Sequence, residues 1–204
     1  MIGIIDYGVG NIFSLQSSFK SLGADICFTG DKEKIRNCDK IILPGVGAFE
    51  DAAKKLQETG LGELVCEEAK KGKYIMGICL GMQMMFDKSY EYGEHNGLSI
   101  IKGNVVSLAD VCKNVKIPHM GWNSLQFPKE KEKSRIFKYI NEGDYVYFVH
   151  SYYATDCKES TIAVTEYEAE VTAAVEKDNV FALQFHPEKS GNVGLNILKA
   201  FCDM

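Results

Sequence analysis

Short apolar runs alternate with stretches of helical period along the first part of the chain. "MIGIIDYG" is an apolar run closed by Asp and Gly, which suits a buried strand. In "NIFSLQSSFKSLG", Ile12, Leu15, Phe19 and Leu22 recur at helical spacing, and Gly23 ends the pattern. "DICFTG" and "KIILPGVG" predict further short buried strands. "AFEDAAKKLQETGLGELVCEEAKKG" reads as helix, interrupted at "TGLG" and stopped at Gly72. "KYIMGIC" then predicts a strand and "LGMQMMFD" a helix. This alternation over the first 87 residues argues for parallel βαβ units.

The pattern changes in the second half. "GNVVSLAD", "VKIPHMGWNSLQF", "DYVYFVHSYYAT", "TIAVTEY", "VTAAVEKD" and "VFALQFHPEKS" are rich in β-branched and aromatic residues, and several alternate in period two. They predict a mixed or antiparallel extension of the same sheet. "GNVGLNILKAFCDM" closes as an amphipathic helix. No repeat, low-complexity run or linker interrupts the 204 residues, so one domain over 1–204 is expected.

Composition narrows the classes. With 46% hydrophobic residues the chain can bury a core without disulfides or metal. Twenty-three basic against 28 acidic residues give −5, with no basic run to follow a phosphate backbone. Seven cysteines (27, 38, 66, 79, 112, 157, 202) are odd in number and irregular in spacing, with no CxxC pair, against a disulfide framework or a zinc site. The histidines are scattered, so no metal is expected. The opening residues lack the basic and long apolar regions of a signal peptide, and no run reaches the length of a membrane span. A reduced cytoplasmic protein without nucleic-acid or membrane partners is the expectation.

Three stretches carry chemistry. In "GICLG", Cys79 stands between Gly77 and Gly81 where a strand ends and a helix begins, the G-x-S-x-G form with Cys for Ser. Such an elbow strains the backbone, and the glycines relieve crowding where its two arms approach. The following helix turns its positive end towards the sulfur and favours thiolate, and the Leu80 amide lies near a developing oxyanion. The competing reading of Cys79 is a small buried hydrophobe. In "QFHPEKS", His186 supplies a base, and Glu188 at i+2 of an extended segment shares its face and orients it. His150 is a second candidate base, whereas His95 and His119 sit in loop-like stretches. "LPGVG", Leu43 to Gly47, is a turn that can aim backbone N–H groups at a negative charge, or simply link strand to helix. Gly8-x-Gly10 in "YGVGNIF" starts like a dinucleotide fingerprint, but Phe13 occupies the position of the third small residue.

Together, "GICLGMQ", "HPE" and "PGVG" resemble the class I (triad) glutamine amidotransferases. "DYGVGNIFSL", "PHMGWN" and "YFVHSYY" narrow the likeness to the glutaminase subunits of imidazole glycerol phosphate synthase, over residues 4 to about 200. The resemblance implies an α/β, flavodoxin-like fold: a mixed central sheet flanked by helices, with the antiparallel extension. It implies Cys79 as nucleophile, His186 as base and Glu188 as its orienting group. Val46 and Leu80 would form the oxyanion hole. Gly47, Gln83, Glu91, Ser151 and Tyr152 would hold glutamine. It also implies a separate (β/α)8 barrel cyclase, paired as a heterodimer, and no cofactor. Asn11, His119, Met120 and Trp122 are expected to face that partner. Two rivals remain at this point: another thiol hydrolase acting on γ-glutamyl or peptide bonds, and a non-catalytic binding module on the same scaffold.

Overall fold

A computed structural model describes residues 1–8 and 12–204. The parallel units run β1 (Ile2–Ile5), α1 (Ile12–Ser21), β2 (Ile26–Thr29), α2 (Lys32–Arg36), β3 (Lys40–Leu43), α3 (Phe49–Thr59), α4 (Leu61–Lys70), β4 (Tyr74–Ile78) and α5 (Leu80–Gln83). Then come β5 (Lys88–Ser89), β6 (His95–Asn96), β7 (Asn104–Ser107), β8 (His119–Ser124), β9 (Tyr145–His150), β10 (Tyr152–Thr155), β11 (Thr161–Glu166), β12 (Glu170–Lys177), β13 (Val180–Leu183) and α6 (Gly191–Cys202).

The main sheet has the order β11-β12-β13-β4-β3-β1-β2. Strands β2, β1, β3, β4 and β13 are parallel, which is the 2-1-3-4-5 order of flavodoxin-like sheets. β12 and β11 continue it antiparallel beyond β13. The expected extension is therefore present, but it accounts for only part of the second half. β10-β7-β5-β6 form a sheet of their own, and β8-β9 form a two-stranded ribbon.

Both faces of the parallel strands are covered, as their unbroken apolar runs require. Ile5, Ile41, Leu43 and Ile75 pack on one side with α3 and α4. Ile2, Ile4, Ile42 and Met76 pack on the other with α1 and α6. Gly60, at φ 65°, separates α3 from α4 where "TGLG" predicts the break. One helix is much shorter than expected. "LGMQMMFD" gives only the four-residue α5, because Met84, Met85 and Phe86 leave the helix and are buried in the core. Among the described residues no helix is long and apolar enough to cross a membrane.

Candidate active site

Open α/β sheets place ligand sites beyond the carboxyl ends of their parallel strands. Three such ends converge here, from β3, β4 and β13. Leu43 of β3 pairs with Gly77 of β4, and Leu183 of β13 pairs with Ile78. The segments that follow, "PGVG", "CLG" and "QFHPE", are thereby brought side by side.

Cys79 leaves β4 with φ 54° and ψ −113°, a conformation that costs a non-glycine residue about 1–3 kcal/mol. The surroundings impose it. Cys79 N donates to Leu183 O at 2.7 Å, and its carbonyl accepts from Met82 N and Gln83 N at 3.0 and 3.2 Å. The glycines are required by contact. A Cβ on Gly77 would lie 2.7 Å from Gly81 O, and one on Gly81 would lie 1.9 Å from Leu43 O. Gly81 thus faces the end of β3 as well as Gly77, an approach that the spacing within "GICLG" does not reveal. Because α5 is a single turn, no long helix dipole acts on the sulfur, contrary to expectation. What remains is local: Leu80 N–H opens the turn and has no preceding turn to bond.

The Cys79 thiol and the His186 ring line the same cleft. His186 Nδ1 lies 2.7 Å from Glu188 Oε1, so Nε2 is the nitrogen left for sulfur. Burial of the ring opposes its charge, but the neighbouring Cys79 sulfur and Glu188 carboxylate outweigh this and raise its pKa from 6.5 to about 9. Glu188 Oε2 is buried without a hydrogen-bond partner among the described residues. The pairing is not achieved as an extended i, i+2 arrangement. Pro187 opens a one-turn 3-10 helix, Pro187–Lys189, and the turn folds Glu188 back onto the ring.

Val46, Gly47, Leu80, Gln83, Glu91, Ser151 and Tyr152 all line one cleft with Cys79 and His186, of about 290 Å³. Both Gln83 Nε2 hydrogens are taken, by Tyr152 O at 2.9 Å and Gln184 Oε1 at 3.0 Å, which leaves Oε1 as its acceptor. Glu91 Oε2 accepts from Phe49 N at 2.7 Å and so ties the cleft wall to the start of α3. Lys189, Val149 and His150 also line the cleft. Lys189 was legible beside "HPE" as a cation but carried no separate signal. Tyr7, also unforeseen, donates to Pro44 O at 2.8 Å and braces the "PGVG" turn.

His150 is not a second base. Burial pushes its pKa down from 6.5 to about 3, against a bond to Tyr152 O, with His119 and His186 adding to the fall. His150 Nδ1 meets Tyr152 O at 2.9 Å, its Nε2 meets His119 Nδ1 at 3.0 Å, and His119 Nε2 meets Asn123 Oδ1 at 2.9 Å. A neutral pair has two N–H groups for these three contacts. Burial dominates, because no carboxylate contributes at either ring.

The residues expected to face a partner separate into three cases. Met120 and Trp122 are exposed, by 60% and 50%, on alternate positions of β8. His119 is fully buried on the other face, stacked on Tyr167 and Phe148, so its ring faces inward and not outward. It also lies in a strand rather than a loop, as does His95 in β6. Asn11 lies outside the described residues, as does Gly10 of "YGVGNIF".

A thiol raised on a strand-turn-helix elbow, with a carboxylate-held imidazole beside it, defines a cysteine-dependent hydrolase or transferase on a flavodoxin-like sheet. The chain belongs to the class I glutamine amidotransferase family, whose model, "Glutamine amidotransferase class-I", matches residues 3–203. It is 53% identical over 205 residues to the imidazole glycerol phosphate synthase subunit HisH of Caldanaerobacter subterraneus subsp. tengcongensis, spanning 100% of this chain and 98% of that one. It is 47% identical to the subunit of the same name from Lactococcus lactis, spanning 99% and 98%. In fold it is similar to the solved structure of PurLQS from Thermotoga maritima, with a TM-score of 0.76 at 18% identity over 99% and 97% of the two chains.

Proposed function

We propose that this chain is the glutaminase subunit of imidazole glycerol phosphate synthase, a single amidotransferase domain over residues 1–204 working in the cytoplasm. It hydrolyses glutamine to glutamate and ammonia and passes the ammonia to a (β/α)8 barrel cyclase, its partner in a heterodimer. The cyclase makes imidazole glycerol phosphate and aminoimidazole carboxamide ribonucleotide in histidine biosynthesis. The observation that carries this reading is the Cys79–His186–Glu188 set at the floor of a cleft lined by the residues matched to the substrate.

The chemistry follows from the geometry. His186 Nε2 takes the Cys79 proton, and the sulfur attacks the side-chain amide carbon. The carbonyl oxygen gains the negative charge, to be met by the Leu80 amide and one from the "PGVG" turn, Val46 in this reading. The C–N bond breaks as His186 returns the proton to ammonia. Water then attacks the thioester, with His186 as base, and releases glutamate. Gln83 Oε1 and Glu91 suit the α-ammonium group of the substrate.

The ribbon β8-β9 suits the transfer. Val149 O lies 3.9 Å from Cys79 Sγ, and Val149 pairs with exposed Met120. One ribbon separates the thiol from the face carrying Met120 and Trp122, which we assign to the cyclase. Ammonia release from glutamine, measured with and without the cyclase and its nucleotide, tests the function. Cleavage of γ-glutamyl peptides in place of glutamine would favour another hydrolase. No turnover with the cyclase present would favour a binding module.

A further inference from the structure

We propose that Gln184 is a positioning residue that presents an N–H to the Cys79 sulfur and favours its thiolate; this rests on the thiol-amidase reading above. Gln184 is fully buried, between β13 and His186, with its backbone N bonded to Ala173 O at 2.8 Å. A buried amide must satisfy both ends of its side chain, and here a backbone carbonyl dictates which end points where. Tyr152 O can only accept, so Gln83 must offer it Nε2. The second Gln83 hydrogen goes to Gln184 Oε1. The Gln184 amide is then fixed with its NH2 towards Cys79 Sγ, at 3.9 Å. Reversed, it would set NH2 against NH2 at Gln83 and turn carbonyl lone pairs on the sulfur.

The surroundings of the sulfur give this N–H its work. Val149 O, also at 3.9 Å, can only accept, so it suits the S–H form and repels the thiolate. Gln184 Nε2 can only donate, so it suits the thiolate. His186 changes role between them, base before proton transfer and cation after. In the reaction, the Cys79 proton passes to His186, the sulfur binds the amide carbon, and the nitrogen leaves with that proton. When water later cleaves the thioester, the same N–H stabilises the departing thiolate. The Gln184 contact is long, as catalytic contacts in an unliganded site commonly are.

The test uses the full chain bound to its cyclase. Iodoacetamide labelling of Cys79 is followed by peptide mass spectrometry from pH 6 to pH 10, beside kcat and KM for glutamine. Gln184→Met keeps length and shape without a donor. Its labelling at pH 7 is expected to be about tenfold slower, converging on the wild-type rate at high pH, with kcat about tenfold lower, the value of one hydrogen bond to a charged group. KM stays within about twofold. Gln83→Leu guards against a folding defect in the first variant. It frees the Gln184 amide without touching sulfur, and should move the labelling profile the same way. Labelling profiles that superimpose on wild type in both variants, with glutamine still hydrolysed by the wild type, overturn the role of Gln184 alone. A wild type that labels at Cys79 but yields no ammonia from glutamine overturns the amidase reading instead.

Discussion

His186 and His150 line the same cleft and are almost equally buried, at 4% and 6% exposed, yet one favours the charged form and the other the neutral form. At the β13 corner, His186 faces a carboxylate and a thiol, and its pKa rises to about 9. In the β8-β9 ribbon, His150 faces a carbonyl and another imidazole, and its pKa falls to about 3. Burial works against the cation in both places. The partners decide the outcome, in line with the proposed base at His186 and a scaffold role for His150.

The sharpest way to break that contrast is by deletion. His186→Ala should lower glutamine turnover by about 10⁶-fold, the usual cost of removing the base of a triad. His150→Gln should lower it less than about tenfold. Equal losses in steady-state assays would mean the base has been misassigned.

Backbone packing at the elbow should matter next. Gly81→Ala forces a Cβ against Leu43 O and should cost about 3 kcal/mol or more in denaturant unfolding, since the obstacle is backbone and cannot swing aside. A loss below 1 kcal/mol would show that the close approach is not real.

The pH dependence of stability should have opposite signs at the two histidines. The raised pKa of His186 gives stability that is present below about 6.5 and lost as pH climbs through about 9. The lowered pKa of His150 gives stability that is present above about 6.5 and lost as pH falls towards about 3. Thermal unfolding of wild type against His186→Ala and His150→Gln, from pH 3 to pH 10, should show these slopes. The same sign for both would contradict the contrast. The smallest intrinsic effect belongs to Trp122→Ala. It should change the stability of the isolated chain by less than about 1 kcal/mol, the ring being half exposed. It should weaken cyclase binding at least tenfold, as loss of an aromatic anchor does. Unchanged affinity by calorimetry would remove Trp122 from the interface.

Much of this was legible because the signals were local. The βα alternation, the break at Gly60, and the Gly77/Gly81 frame around Cys79 all rest on neighbours in sequence. What failed depended on distant partners. His119 reads as a loop residue, but it lies in a strand pair with its ring nitrogens against Asn123 and His150. "LGMQMMFD" reads as helix, but burial of its methionines on every side leaves no polar face to reveal where the helix stops. His186 is extended, as Pro187 suggests, but Pro187–Lys189 form a 3-10 turn, so Glu188 does not continue the extended segment. Gln184 carries a signal of its own: a glutamine inside the apolar run "VFALQF" needs partners for its amide.

The most direct test of the central claim is covalent capture with a glutamine-analogue electrophile such as diazo-oxo-norleucine, in the presence of the cyclase. The account predicts one adduct per chain, at Cys79 and at none of the other six cysteines, and its loss in His186→Ala. An adduct at another cysteine, or unchanged labelling of Cys79 without His186, would contradict it.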